Sequence, residues 1–138
     1  MSYAKIMAEM CSKQLDADAG SDPELSALYT HKLSSLRDAA SAFPCDGKET
    51  ALVMLKLIAE KADCIVSWVP DDSASRAMCE EFESSIRAMC YALMEFLQQD
   101  GDATPDPALV RYFGEFSEPK LKQKMSKTEG KPNLKLAA

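Results

Sequence analysis

The chain has 138 residues, 46% of them hydrophobic and 28% charged, which is enough for one globular domain with its own core. The longest apolar run, residues 51–59, is interrupted by Lys56 and is too short to cross a membrane. Residues 1–116 hold 10 basic and 20 acidic side chains, and this balance argues against nucleic acid or an anionic membrane as the partner.

Two helices are predicted at the start of the chain. Apolar residues recur every three or four positions over residues 3–15, which indicates one helix face. A second helix is predicted over about 23–43, because Ser21 or Asp22 is a good N-cap and Pro23 suits the first helical position. Its predicted buried positions are Leu25, Leu28, Tyr29, Leu36, Ala40 and Phe43.

The third predicted helix, about 47–68, is expected to be the most buried element. Asp46 and Glu49 have the spacing of a capping box at its start. Its polar residues form one narrow strip, and most other positions, Ile58 among them, are apolar and are assigned to the core. The strip, which we expect to face solvent, consists of Lys56, Glu60, Asp63 and Ser67.

The fourth predicted helix, about 72–99, contains the tetrapeptide Arg-Ala-Met-Cys twice, at 76–79 and 87–90. Eleven residues make three helical turns and about 20°, so both copies lie on nearly the same face. We expect a core stripe on this helix, with the two arginines on the solvent side. The stripe consists of Met78, Phe82, Ile86, Met89, Leu93 and Phe96.

A loop rich in Gly, Pro and Asp leads to a short fifth helix, capped by Asp106 and with Pro107 at its first position. The sequence thus predicts an all-α protein: a mostly antiparallel helical bundle of four main helices plus a short fifth helix and a basic C-terminal tail. We place a single helical-bundle domain at 1–116 and a lysine-rich tail at 117–138. The last residues, 135–138, resemble a vector-derived junction.

Four residues of the fifth segment form an apolar cluster that suits either the core or a partner. Tyr112, Phe113 and Phe116 place three aromatic residues within five positions, and Leu109 lies on the same helix face. Such a cluster either closes the end of a core or anchors a partner. We favour packing on the bundle or across a homodimer, and we keep all four as candidate partner-binding residues.

His31 is the single histidine and lies off the apolar stripe of the second helix, near Asp38. An exposed histidine on a four-helix bundle of this size resembles histidine phosphotransfer domains. Those domains carry a lysine three positions after the histidine and a small residue, usually glycine, at four. Here these positions are Ser34 and Ser35, with Lys32 adjacent to the histidine instead. The resemblance implies His31 as phosphoacceptor; beyond it we predict no catalytic residue.

Cysteine and methionine usage predicts neither disulfides nor a metal site. The cysteines, at positions 11, 45, 64, 79 and 90, show no CxxC or CxxxC spacing, so we expect reduced thiols buried as small hydrophobic residues. Met and Cys side chains are soft ligands suited to Cu(I), but core packing is the simpler interpretation, and we predict no metal and no cofactor. Because no secretion-signal pattern is present, we expect a cytoplasmic location.

The leading functional hypothesis is a small acidic, non-enzymatic protein that binds another protein. An inhibitor, a toxin-immunity protein, a secretion chaperone and an anti-activator all fit this description. The negative charge of residues 1–116 favours a partner with a basic surface, and a homodimer is a further option. The alternative is a histidine phosphotransfer protein that acts through His31.

Overall fold

The fold is given by a computed structural model, which describes residues 2–71, 74–99, 101 and 103–117. The helices in these residues are α1 (Tyr3–Ala19), α2 (Pro23–Asp38), a 3-10 turn (Ala40–Ala42), α3 (Lys48–Ser67), α4 (Ala74–Gln98) and α5 (Pro107–Phe113). The predicted all-α class, with four main helices and a short fifth, is confirmed. None of the helices in the described residues is long and apolar enough to cross a membrane. The predicted lysine-rich tail lies outside the described residues, apart from Ser117.

Side-chain caps fix where most of the helices begin. The Asp22 carboxylate accepts a hydrogen bond of 3.1 Å from the Leu25 amide, with Pro23 at the first helical position as predicted. Asp106 caps α5 in the same way. The capping box predicted for α3 is wrong, because its N-cap is Gly47 and the Asp46 carboxylate accepts from the Thr50 hydroxyl instead.

The helices α1 and α2 form an antiparallel hairpin. The Tyr3 hydroxyl, at the start of α1, donates to the carbonyl of Leu36 near the end of α2 at 2.8 Å. Toward the turn, the Gln14 amide donates to the Ser26 hydroxyl at 3.0 Å and accepts from the Thr30 hydroxyl at 2.9 Å. These bonds satisfy the polar atoms of Gln14, which is almost completely buried between the two helices.

A second antiparallel hairpin consists of α3 and α4, the most extensive helix pair in the described residues. Lys56 bonds Tyr91 across the pair, and Arg87 lies 3.9 Å from the Asp63 carboxylate. At the turn, Arg76 donates to the Val69 carbonyl at 2.7 Å. As the residue number increases along α3, the number of the contacted residue on α4 decreases, so the two helices are antiparallel.

The core lies where α1 packs against α2, α3 and α5. Its most completely buried side chains are Tyr3, Met7, Cys11, Leu33, Leu52, Val53, Met94 and Phe116. The segment after α5 is also fastened to the hairpin, because Gln98 donates to the Phe116 carbonyl at 2.9 Å. Leu109 of α5 belongs to this buried cluster and α5 packs against α1, so the fifth helix is part of the core.

The polar strip predicted for α3 is only partly correct. Asp63 and Ser67 are exposed and Glu60 is half-buried, whereas Lys56 is only 6% exposed. The prediction is wrong for Lys56 because Tyr91 and the segment after α5 cover this position. It is also wrong for Ile58, an expected core residue that is 48% exposed. The buried stripe predicted for α2 is likewise wrong at Leu25 and Leu28, which are 39% and 46% exposed.

Candidate functional site

The stripe of α4 that the sequence assigns to the core is mostly exposed. Five of its six residues, namely Met78, Phe82, Met89, Leu93 and Phe96, are 52–69% exposed, and only Ile86 is half-buried. The core prediction is therefore wrong for these five. The residues that α4 buries, such as Cys90 and Met94, lie about 100° further around the helix. The reason is that α4 packs mainly against α3, on one edge of its wide apolar band.

The helix α3 continues this exposed apolar surface. Ile58 and Ile65 lie on its outer side, and Trp68, directly after the helix, is 79% exposed. Burial of such side chains is the main favourable term in protein association, so their exposure needs an explanation. We define the α3–α4 face as Ile58, Ile65, Trp68, Met78, Phe82, Met89, Leu93 and Phe96.

A groove of about 340 Å³ runs between the two helices within this face. Its walls are formed chiefly by Ile58, Ile65, Phe82 and Ile86, and Lys61 lies at its edge. An apolar groove between two helices is the shape into which a further helix packs its apolar side chains. The groove can therefore hold an apolar surface, and it offers one cation at its edge.

The charge at the base of the groove is neutralised within the hairpin. The Glu83 side chain is only 10% exposed, and its carboxylate accepts two hydrogen bonds from Arg87, at 2.6 and 2.8 Å. Both bonds reach the same oxygen, Oε2, and this charge-assisted pair offsets part of the cost of burying the carboxylate. What a partner meets in the groove is consequently hydrocarbon rather than an unpaired acid.

The aromatic segment, residues 109–116, is placed in the core. Leu109 and Phe116 are each 2% exposed, and Tyr112 and Phe113 are half-buried against the core cluster. The Arg37 guanidinium lies 5.6 Å from the centre of the Phe113 ring. Of the two arrangements that the sequence left open, core closure and partner anchoring, this is core closure. Partner binding by these four residues stays a prediction, and it would require the segment to leave the core.

His31 is exposed on α2, a helix that contributes no residue to the α3–α4 face. Its side chain makes no hydrogen bond or ion pair with another described residue, and the neighbouring Lys32 ammonium lies over the Tyr29 ring at 5.6 Å. Ser34 and Ser35 are exposed beside it. The structure thus places His31 where the sequence expects it, and phosphotransfer stays a prediction.

The cysteines divide into buried and exposed thiols. Cys11 and Cys90 are buried and Cys79 is half-buried, but Cys45 and Cys64 are exposed, so the expectation of buried thiols is wrong for these two. Burial raises the pKa of Cys11 to about 12 and also raises the pKa of Cys90. All five are free, and the described residues contain no cluster of three or more His, Cys, Asp or Glu side chains that could hold a metal ion.

Sequence reasoning found the residues of the α3–α4 face but assigned most of them to the wrong environment. The signal that could have distinguished exposed from buried positions is the width of the apolar band on α4, which is more than one neighbouring helix can cover. The chain matches no family model, no curated protein and no solved structure. The α3–α4 face is therefore interpreted from its own chemistry.

Proposed function

We propose that this chain is a non-enzymatic protein-binding protein and that the α3–α4 face is its binding surface. The observation that carries the proposal is the exposure of eight large apolar side chains along two adjacent helices. Exposed apolar patches of this extent on a small protein mark interaction sites. Hydrocarbon and aromatic side chains supply contact area rather than acid, base or nucleophile, so the chemistry of the face is that of association.

The composition of the face also supports a role in binding. It includes Trp68, Phe82 and Phe96, and aromatic residues are the ones that most often dominate binding energy at interfaces. Met78 and Met89 add flexible, polarisable side chains that adjust to an irregular partner surface. We infer that the partner presents an apolar helical surface to this face.

Two further parts of the proposal rest on composition. For a partner other than a second copy of this chain, the excess of acidic side chains in residues 1–116 favours basic residues around the apolar contact. The five free cysteines fit a reducing compartment, which supports a cytoplasmic site of action. An inhibitor, an immunity protein, a secretion chaperone or an anti-activator would each act by covering a surface of another protein.

Site-specific photo-crosslinking tests this proposal. A benzophenone amino acid is placed at Phe82, in the α3–α4 face, and in a matched control at Leu28, an exposed position on α2 that is 46% exposed. After irradiation in the source cells, adducts are identified by mass spectrometry. We expect protein adducts from position 82 and none from position 28. No adduct from position 82, or the same adducts from both positions, would overturn the proposal.

A further inference from the structure

We propose that a second copy of this chain occupies the α3–α4 face, so that two α3–α4 hairpins form a four-helix bundle at the centre of a homodimer. This inference rests on the proposed function, because it names the partner of the same face. The structure supports it through the area of the face, the spacing of its residues and the placement of its charges.

The area of the face is what a stable dimer requires. Burying a large aromatic side chain removes about 150–250 Å², and eight large side chains of about this size, three of them aromatic, that are about half exposed present on the order of 600–1,000 Å². A standard specific interface buries about 800 Å² on each partner. The largest apolar patch of a typical monomer is smaller, about 300–600 Å².

The spacing of the outer residues on α4 is that of a coiled-coil seam. The positions follow one another at alternating intervals of four and three residues: Met78, Phe82, Ser85, Met89, Ala92 and Phe96. Ser85 and Ala92 are small, and they leave space beside the large residues for side chains of a facing helix. This pattern is distinct from the edge of α4 that packs on α3, which contains Glu83, Cys90 and Met94.

The same alternating spacing recurs at Met54, Ile58, Lys61 and Ile65 of α3 and at Trp68, directly after it; of these, Met54 is half-buried against the core. The free surface is therefore two helices wide, and each helix carries its own seam. One partner helix would lie in the groove and leave the outer side of both seams uncovered. A second hairpin of the same width covers both seams at once, which makes another copy of this chain a matching occupant.

Charged side chains are almost absent from the two seams. Residues 1–116 carry 20 acidic side chains, yet none lies at the seam positions of either helix. The single charge in the seams is Lys61 on α3, and Glu81 lies beside the seam of α4. Both are exposed, and neither forms an ion pair with another described residue. A charged residue at one seam position is a common device for fixing register.

A two-fold axis parallel to the helices brings these charges together. It places α3 of one copy against α4 of the other, antiparallel and at the same height. The contacts Lys56–Tyr91, Asp63–Arg87 and Val69–Arg76 place Lys61 level with residues 84–89 of α4, centred near Ile86, which is about 7–8 Å along the helix axis from Glu81. The Lys61 ammonium of each copy can then reach the Glu81 carboxylate of the other.

Sedimentation velocity over a concentration series of the purified full chain tests the proposal. We expect a species of twice the 15.1 kDa chain mass for the wild type. Phe82→Glu should weaken dimerisation by about tenfold or more, because it buries an unpaired charge, whereas the matched control Leu28→Glu should leave it unchanged. Circular dichroism confirms that both variants keep their helices, since both positions are exposed in the single chain.

Charge reversal tests the register. Lys61→Glu and Glu81→Lys should each weaken the dimer, and the double variant should recover most of the wild-type affinity. A wild-type protein that stays monomeric throughout the series, or equal effects of Phe82→Glu and Leu28→Glu, would overturn the dimer. If the wild type is monomeric while position 82 still crosslinks to another protein, the homodimer proposal fails and the proposed function stands. If no crosslink of any kind forms at Phe82, both fail.

Discussion

The Lys56 ammonium donates a hydrogen bond of 2.7 Å to the Tyr91 hydroxyl, deep between α3 and α4. A second bond of 2.7 Å goes to the carbonyl of Glu115, beyond α5. The rings of Tyr91 and Phe116 lie 4.9 and 5.7 Å from the ammonium and add favourable cation–π contacts. One buried cation therefore joins both helices of the second hairpin to the segment after α5.

Lys56→Met should lower the free energy of unfolding by about 1–3 kcal/mol. Methionine retains most of the apolar stem but leaves the Tyr91 hydroxyl and the Glu115 carbonyl without their donor. Urea denaturation followed by circular dichroism measures the effect. Lys5→Met is the control, because Lys5 is exposed on α1 and such changes cost within about ±0.5 kcal/mol. Equal, small effects of the two substitutions would contradict the joining role of Lys56.

Local signals predicted the helices well. The Asp22–Pro23 and Asp106–Pro107 pairs set the starts of α2 and α5 because a cap and a proline act on the adjacent backbone alone. The environment of Lys56 was not predictable in this way. It depends on Glu115, which is 59 positions away in the chain, and a helical wheel contains no information about that neighbour.

The same limit explains the α3–α4 face. The period of α4 correctly identified Phe82 and Met89 as one apolar stripe, but not what the stripe contacts. Burial depends on where α3 packs, and α3 covers the neighbouring edge that contains Cys90. The expectation that apolar residues lie in the core of the same chain fails for a helix whose apolar band is wider than its neighbouring helix covers.

Thiol reactivity should follow burial. Cys45 and Cys64 are exposed and should react rapidly with a thiol reagent, whereas Cys11 and Cys90 should react only on unfolding. Burial holds the pKa of Cys11 at about 12, so very little reactive thiolate forms at neutral pH. Alkylation followed by peptide mass spectrometry gives the rate at each site. Rapid modification of Cys11 in the native protein would show that its helix is not packed as described.

Glu60→Gln should change the dependence of stability on pH. Burial raises the pKa of Glu60 above its usual value of 4.5, because desolvation outweighs the attraction of Arg37 and Lys56. An acid whose pKa is raised by folding binds its proton more tightly in the folded chain. Its ionisation therefore lowers the free energy of unfolding as the pH rises from about 4.5 through the folded pKa. The Gln variant lacks this loss.

The measurement is urea denaturation of both proteins at a series of pH values from 4.5 to neutrality. The variant should gain stability relative to the wild type as the pH rises. Arg37→Gln is the companion variant: it removes the 2.6 Å bond from the guanidinium to Glu60, so the pH dependence contributed by Glu60 should increase. If the Gln variant instead became less stable relative to the wild type as the pH rises, the attraction of Arg37 for the Glu60 carboxylate would outweigh its desolvation.

His31→Ala separates the phosphotransfer alternative from the binding proposal. Because His31 is exposed on α2, its removal should change the free energy of unfolding by no more than about 0.5 kcal/mol. Incubation of the wild type with a phosphorylated receiver domain should leave no acid-labile phosphate on the protein. A label that appears on the wild type and disappears in His31→Ala would favour phosphotransfer.

Leu109→Ala and Phe96→Ala should have contrasting effects, because Leu109 is 2% exposed and Phe96 is 69% exposed. Truncating Leu109 removes buried surface between α5 and α1 and should cost about 2–5 kcal/mol at any protein concentration. Truncating Phe96 should leave the stability of a single chain within about ±0.5 kcal/mol. It should instead reduce the rise in melting temperature with protein concentration, since association stabilises the folded chain by mass action. Thermal unfolding at several concentrations measures both effects. A small cost for Leu109→Ala would mean that the aromatic segment leaves the core readily, and residues 109–116 would then compete with the α3–α4 face as the binding surface.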